Sequence, residues 1–167
     1  MRKTNENNER IKRRYLKFLK HAKRKDDSTV LKAAEGILRF EASTGYADFK
    51  RFRIDQASRF QDSLRTETSK TTGKTLSHST VASILNANKG FITWLADQSG
   101  YKSRIRYSDA EYFNMNAKGQ RIASTSRETA YPSMEMARHA FGFMPEITDI
   151  DSRNKALFAF LMLTGAR

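Results

Sequence analysis

Residues 76–101 read LSHSTVASILNANKGFITWLADQSGY, and the spacing of their apolar side chains decides the fold. Val81, Ile84, Leu85, Phe91, Ile92 and Leu95 fall on one side of a helix with 3.6 residues per turn. Such a stripe is stable only when other elements cover it, so the rest of the chain is expected to pack around this segment. Ser77 is placed to cap the first turn, Leu76 and Val81 are spaced as a hydrophobic staple, and Gly100 offers the left-handed residue that ends a helix. The opposite face carries Ser83, Asn86, Lys89, Gly90, Thr93 and Asp97, mostly small polar residues through which another surface can approach the backbone. This face is either solvated or a binding face, and its own residues do not decide between the two.

Upstream, the stretch from Asn7 to Lys25 reads as a basic amphipathic helix. Ile11, Tyr15, Phe18 and Ala22 share a side, while Arg10, Lys12, Arg13, Arg14, Lys17, Lys20, Lys23 and Arg24 ring the remainder. Charge spread this widely suits a helix docked on a domain beside DNA better than one lying on a membrane. A second helix follows, capped by Asp27 or Ser28 and closed by Gly45, with Val30, Ala33, Ala34, Ile37, Leu38 and Glu41 on one face. In DFKRFRI, residues 48–54, Phe49 and Phe52 are expected to point inward and Lys50, Arg51 and Arg53 outward. Asp55 then caps a short helix with core positions Ala57, Phe60 and Leu64, a spacing that makes these aromatics core rather than base-stacking groups.

Residues 66–77, TETSKTTGKTLS, hold one apolar side chain and read as an exposed loop of the kind that meets phosphate. After Tyr101, KSRIRY is expected to be extended and basic, and Ser108 with Glu111 forms a capping box for a short helix through Tyr112 and Phe113. Polar residues 114–131, with Lys118, Arg121 and Arg127, mark a basic linker. Pro132 and Ser133 start another helix, Pro145 stops it, and a last helix runs from about Ser152 to Leu163. That helix ends in ALFAFLML, an unbroken apolar run that describes a helix covered on nearly every side, and few residues of this chain are left to cover it.

The chain has 167 residues, 38% of them hydrophobic, which supplies the core of one ordinary domain or of a small domain plus part of another. Thirty-one Lys and Arg against 18 Asp and Glu leave a net charge of +13, favouring a polyanion such as nucleic acid over an anionic membrane surface. The excess is confined to one region. Residues 1–127 hold 27 basic against 13 acidic side chains, and residues 128–167 hold 4 against 5, which implies two regions with different roles. No cysteine is present, so disulfides and thiolate metal sites are excluded. His21, His78 and His139 are too scattered for a metal cluster, and no cofactor is expected. No signal peptide or membrane-spanning apolar run is seen, so the expected compartment is the cytoplasm.

The ending SRNKALFAFLMLTGAR, residues 152–167, resembles the opening of the catalytic domain of tyrosine-type site-specific recombinases, the phage integrase family, in which a helix ends in TGxR. FEASTGYADFKRF, then STVASILNANKGFITWL with DQSGY, resemble that family's helical core-binding domain over roughly residues 7–113. The resemblance implies an all-α protein. A SAM-like core-binding bundle would occupy residues 1–113, the basic linker 114–131, and the start of a truncated catalytic domain 132–167.

The family's chemistry is transesterification at a DNA phosphate by a tyrosine, assisted by arginines whose planar forks offset the growing charge on the phosphate oxygens. By resemblance Arg167 matches the first of those arginines, while nothing in this sequence matches the lysine, the HxxR motif or the nucleophilic tyrosine. Tyr101, Tyr107, Tyr112 and Tyr131 all lie upstream of where that tyrosine must stand. The chain is therefore expected to bind duplex DNA as half of a clamp without cutting it. No small-molecule substrate or membrane partner is expected, and the full-length parent should oligomerise on DNA.

Carried onto this sequence, the resemblance makes Asn86 and Lys89 the base or phosphate readers and Lys50, Arg51, Lys70, Lys74 and Arg104 marginal phosphate contacts. Two other readings remain. One is a nonenzymatic nucleic-acid-binding protein whose last forty or so residues hook a partner; the other is a membrane-surface protein using its basic N-terminal helix.

Overall fold

The hydroxyl of Ser77 accepts a hydrogen bond from the Thr80 N–H at 3.1 Å, starting α4 (His78–Leu95), and the six apolar residues of its expected stripe are all buried. The computed structural model describes residues 4–69, 73–125 and 132–165. It is all-helical, and the nearest approach to a sheet among the described residues is one antiparallel bridge between Thr68 and Thr75. α4 stops at Leu95, short of Gly100, because turns closed by Tyr101 N–H to Gln98 O at 3.0 Å and Ile105 N–H to Tyr101 O at 3.0 Å fold the chain back. Gly100, at φ +83°, serves those turns instead. Of the segment 102–107, expected to be extended, residues 102–104 are turned while Arg106 keeps extended backbone at φ −102° and ψ 156°, and the turns deliver Tyr101 and Ile105 to the core.

Two helices approach α4 closely, each at a glycine. α2 (Asp27–Ser43) begins at Asp26, whose carboxylate accepts from the Thr29 N–H at 2.6 Å, so the cap lies one residue before the expected pair. Its buried face is Ala33, Gly36, Ile37, Phe40 and Glu41, with Leu38 left at the exposed margin. A Cβ on Gly36 would stand 3.1 Å from Ala87 Cβ, which shows how tightly the two helices meet. Asn88 of α4 donates across that contact to Gly36 O at 3.0 Å. A glycine inside a helix costs roughly 0.5–1 kcal/mol relative to alanine, and here the close packing and the interhelical bond offset it.

α1 (Glu6–Lys17) continues into a single π-helical turn, Phe18–Ala22, in place of one regular helix to Lys25. Ile11 and Tyr15 are buried as their spacing implies, but Ala22 is exposed. Tyr15 packs at 5.1 Å from Phe91 and 5.2 Å from Trp94 by ring centroids, and its hydroxyl lies 3.0 Å from where a Cβ on Gly90 would be. Part of the small-residue face of α4 is therefore already occupied, by α1. Lys12 also departs from expectation. Its ammonium is not solvated but bonds Glu9 at 2.6 Å and Glu41, and Glu41 is fully buried. Asn8 completes the arrangement, donating to Glu41 at 2.8 Å and accepting from the Phe49 N–H at 3.0 Å, which ties α1, α2 and the following turn together.

The turn Phe49–Arg51 is 3₁₀-helical and buries Phe49 while leaving Lys50 and Arg51 exposed, as the alternation DFKRFRI implies. α3 (Ile54–Thr66) buries Ala57, Phe60 and Leu64. Its cap is not Asp55 but Arg53, whose N–H is taken by Gln56 Oε1 at 3.0 Å. Phe40 sits at the centre of a second aromatic group, 5.3 Å from Phe60 and 5.2 Å from Phe113, both edge-on. Edge-to-face pairs of this kind add about 0.5–1.5 kcal/mol each beyond the area they bury. A second 3₁₀ element, Tyr107–Phe113, starts at Arg106 with Asp109 bonding back to its N–H at 2.9 Å, so the Ser108–Glu111 box does not form.

The stretch 114–131, expected to be a linker, contains α5 (Ala117–Ser124), capped by Asn116 and packed on α4. The chain divides into two compact units, Met1–Thr125 and Ser126–Arg167, so α5 belongs with the first. The second unit pairs α6 (Met134–Phe143) with α7 (Asp149–Thr164). Ser133 caps α6, and a capping box of Thr148 and Asp151 opens α7 three residues earlier than expected. Phe141 and Phe158 stack at 6.3 Å, and Lys155 bridges Glu146 at 2.6 Å while lying 4.9 Å over the Phe141 ring. No residue of either helix is fully buried: Phe143 is 77% exposed, and Ile147 between them and Leu163 are 88% exposed. None of the described helices is long and apolar enough to cross a membrane.

Candidate nucleic-acid interface

The expected contact residues of the first unit are spread along α4 rather than gathered at one point. Lys74 is exposed beside the Thr68–Thr75 bridge, before the start of α4. That bridge, reinforced by Ser69 N–H to Lys74 O at 2.8 Å and Leu76 N–H to Glu67 O at 3.0 Å, gives the expected loop a fixed hairpin-like base. Lys50 lies past the other end, with its ammonium 5.8 Å over the Tyr101 ring. Arg104, also exposed, is held in the closing turn by its N–H to Tyr101 O at 2.8 Å. An 18-residue helix at 1.5 Å per residue is roughly 27 Å long, whereas phosphates follow one another every ~3.4 Å of axis along one DNA strand. Cations placed at both ends therefore suit an elongated polyanion and are too far apart to converge on a small ligand.

Between those ends the two expected readers stand in different environments. Asn86 is exposed, with no side-chain partner among the described residues. Lys89 is half-buried and engaged, bonding the Glu111 carboxylate at 3.0 Å and Asn114 Oδ1 at 2.9 Å. The Lys89 ammonium holds the Glu111 carboxyl below its ordinary range, and the Asn114 amide adds to that effect. A lysine paired in this way carries less free charge to a phosphate than its place on the helix implies. Arg51 is exposed and without an ion-pair partner among the described residues, while Lys70 and Arg167 lie outside the described residues.

Two cations that stood in the sequence only as part of a basic helix join Lys50. Arg10 and Arg14, four residues apart and so on one side of α1, line a depression with Asn7, Ile11, Lys50, Ser99 and Tyr101. Burial raises the Tyr101 phenol, and nearby Asp48 adds to the shift, while Arg10 and Arg14 oppose it. The i, i+4 spacing of the two arginines was visible in the sequence; their meeting with Lys50 depends on how α1 docks.

A larger cavity, of about 280 Å3, lies between α3, the start of α4 and α5, with Leu76, Val81, Leu85, Met115 and Ile122 as its apolar floor. Among the described residues no group of three or more His, Cys, Asp or Glu is placed to hold a metal. Compared with family models, with curated proteins and with solved structures, the chain finds no match in any of the three.

Proposed function

We propose that this chain is the DNA-binding portion of a tyrosine recombinase, with residues 4–125 forming a SAM-like core-binding bundle and residues 132–167 the opening of a catalytic domain. The observation that carries DNA binding is the placement of exposed cations beyond the two ends of α4, Lys74 at one and Lys50 and Arg104 at the other, on a region whose net charge is +14. The recombinase identity rests on the resemblance of STVASILNANKGFITWL and of the TGAR ending. In this reading α4 faces the duplex with Asn86 foremost. The exposed apolar side chains of α6 and α7 are positions that further catalytic-domain structure covers in the family. Of the family's catalytic positions the sequence matches only Arg167, so duplex DNA should be bound and not cleaved.

The membrane-surface alternative is disfavoured by α1, whose Ile11 and Tyr15 are spent on the protein core and leave no apolar face for a bilayer. A partner-binding hook in a nonenzymatic DNA-binding protein draws support from the same exposed Phe143, Ile147 and Leu163. Incubation with duplex DNA in competition with anionic liposomes tests the reading. The chain should partition to DNA and give no covalent adduct on a denaturing gel; partition to liposomes would end the DNA assignment, and an adduct would end the claim of inactivity.

A further inference from the structure

The depression between α1 and the turns at Phe49–Arg51 and 99–101 has an unusual charge pattern. Most basic groups that reach the core of this unit are neutralised there: Lys12 by Glu9 and Glu41, Arg39 by Glu67 at 2.6 Å, Lys89 by Glu111. Arg10, Arg14 and Lys50 are not. Among the described residues none of the three has a carboxylate within ion-pair distance; Arg14 reaches only the Gln98 amide oxygen at 3.4 Å, and Lys50 only the Tyr101 ring. The Asp48 carboxylate accepts from the Asn7 amide at 3.2 Å and from the Lys50 backbone N–H at 2.8 Å, and pairs with none of the three side-chain charges. Three like charges around one hollow repel one another, and an anion placed among them removes that repulsion.

A second feature is independent of the charge. Tyr101 is only 5% exposed as a residue and lines the same hollow, and its hydroxyl, which has no hydrogen-bond partner among the described residues, is open there rather than sealed in the core. A phenol fixed by a buried ring, with its hydroxyl open at the hollow, is a positioned donor for a ligand atom there. The hollow measures about 110 Å3, well above the roughly 30 Å3 that one water takes in the liquid, so a group with several oxygens fits it. Arginine forks, an ammonium, a phenol and an amide together are a donor set for a tetrahedral oxyanion, since guanidinium groups bond phosphate oxygens in pairs.

We propose that Arg10, Arg14, Lys50 and the Tyr101 hydroxyl form a phosphate-binding site, through which α1 adds a contact to the DNA-binding surface. The site rests on the DNA-binding reading only for the source of its phosphate, because the same donors would take a free phosphate.

The test uses the full chain and the double variant Arg10→Gln/Arg14→Gln. An Arg13→Gln/Lys17→Gln control removes the same charge from exposed positions of α1 outside the hollow. Tyr101→Phe removes the hydroxyl while keeping the ring. Inorganic phosphate should raise the thermal midpoint above that in chloride of equal ionic strength for the parent and the control, not for the double variant, and less for Tyr101→Phe. Against duplex DNA, the double variant should flatten the log–log salt slope by about one unit, the effect of one lost phosphate contact at about 0.9 per phosphate. The control should flatten it less. If the parent binds no DNA but shows the phosphate-linked midpoint, the site holds a free phosphate and only the DNA reading fails. If the double variant matches the control in both measurements, the site does not exist, whatever the parent does with DNA.

Discussion

The two compact units bury their side chains in opposite ways. In the first, twenty apolar residues among those described are buried, and a charged group, Glu41, is sealed among them with its partners. The polar residues left outside include exposed cations beyond both ends of α4. In the second, Phe141 of α6 meets α7 through a stacked pair with Phe158 and through Lys155 over its ring, and Lys155 also bridges Glu146 in the connection, while Phe143, Ile147, Leu157 and Leu163 are exposed. Two units of one chain thus present opposite surfaces, one charged over a closed core and one apolar with almost no core. A surface of the first kind suits a polyanion, and one of the second suits another protein surface.

The largest expected effect breaks this comparison at its core. Phe91 is fully buried against Tyr15, Phe49 and Trp94, so Phe91→Ala should cost roughly 3–5 kcal/mol by denaturant unfolding of the first unit. Leu163→Ser, at an 88% exposed position, should change stability by less than about 0.5 kcal/mol. A large loss from Leu163→Ser would mean that the second unit has a core of its own.

A smaller effect is expected in alkali. Burial pushes the Tyr15 phenol up to about 12 from an ordinary 10. For Lys12, burial alone would lower the ammonium, but its hydrogen bonds to Glu41 and Glu9 outweigh this and raise it above 10.5. In both cases the folded form holds its proton more tightly than the unfolded chain, so stability is complete below about pH 10 and declines as pH rises through the folded values. The Tyr15 share, for a phenol raised from 10 to about 12, is on the order of 2–3 kcal/mol by pH 12. Thermal midpoints across pH 8–12 should fall, and Tyr15→Phe should remove much of the decline. A flat profile would show that α1 is not docked as described.

How much was legible beforehand follows from the range of each interaction. The stripe of α4, the caps at Ser77 and Ser133, and the inward Phe49, Ala57, Phe60 and Leu64 are all written in local spacing, and the structure bears each out. Polar burial was not legible. Lys12 and Glu41 are 29 residues apart, and nothing near either announces the other. Asn88 sits between apolar neighbours on the α4 stripe and earns its burial from Gly36, 52 residues away. α5 was hidden because its eight residues hold one large apolar side chain, Ile122, and it gains its support from packing on α4. Of the candidate contacts, the exposure of Lys50, Arg51 and Asn86 was readable from the face each occupies and that of Lys74 from its polar loop; the capture of Lys89 by Glu111 and the gathering of Arg10 and Arg14 beside Lys50 were not.

The smallest expected effect sharpens the description of the charged surface. The Glu111 side of the Lys89–Glu111 pair is exposed, so Glu111→Gln should alter stability by no more than about 1 kcal/mol. It also removes a negative charge and frees Lys89. If α4 faces the duplex, DNA affinity should rise severalfold, and Lys89→Ala in the same background should abolish the gain. Unchanged affinity in an anisotropy titration would place the contact surface elsewhere on the unit.

The most direct measurement is the affinity of the whole chain for a duplex as salt rises from about 50 to 200 mM. Each neutralised phosphate contributes about −0.9 to the slope of log affinity against log salt. Contacts at both ends of α4 therefore predict a slope of about −3 or steeper, with measurable binding at the low-salt end. Salt-independent affinity, or no binding at low salt, would contradict the account.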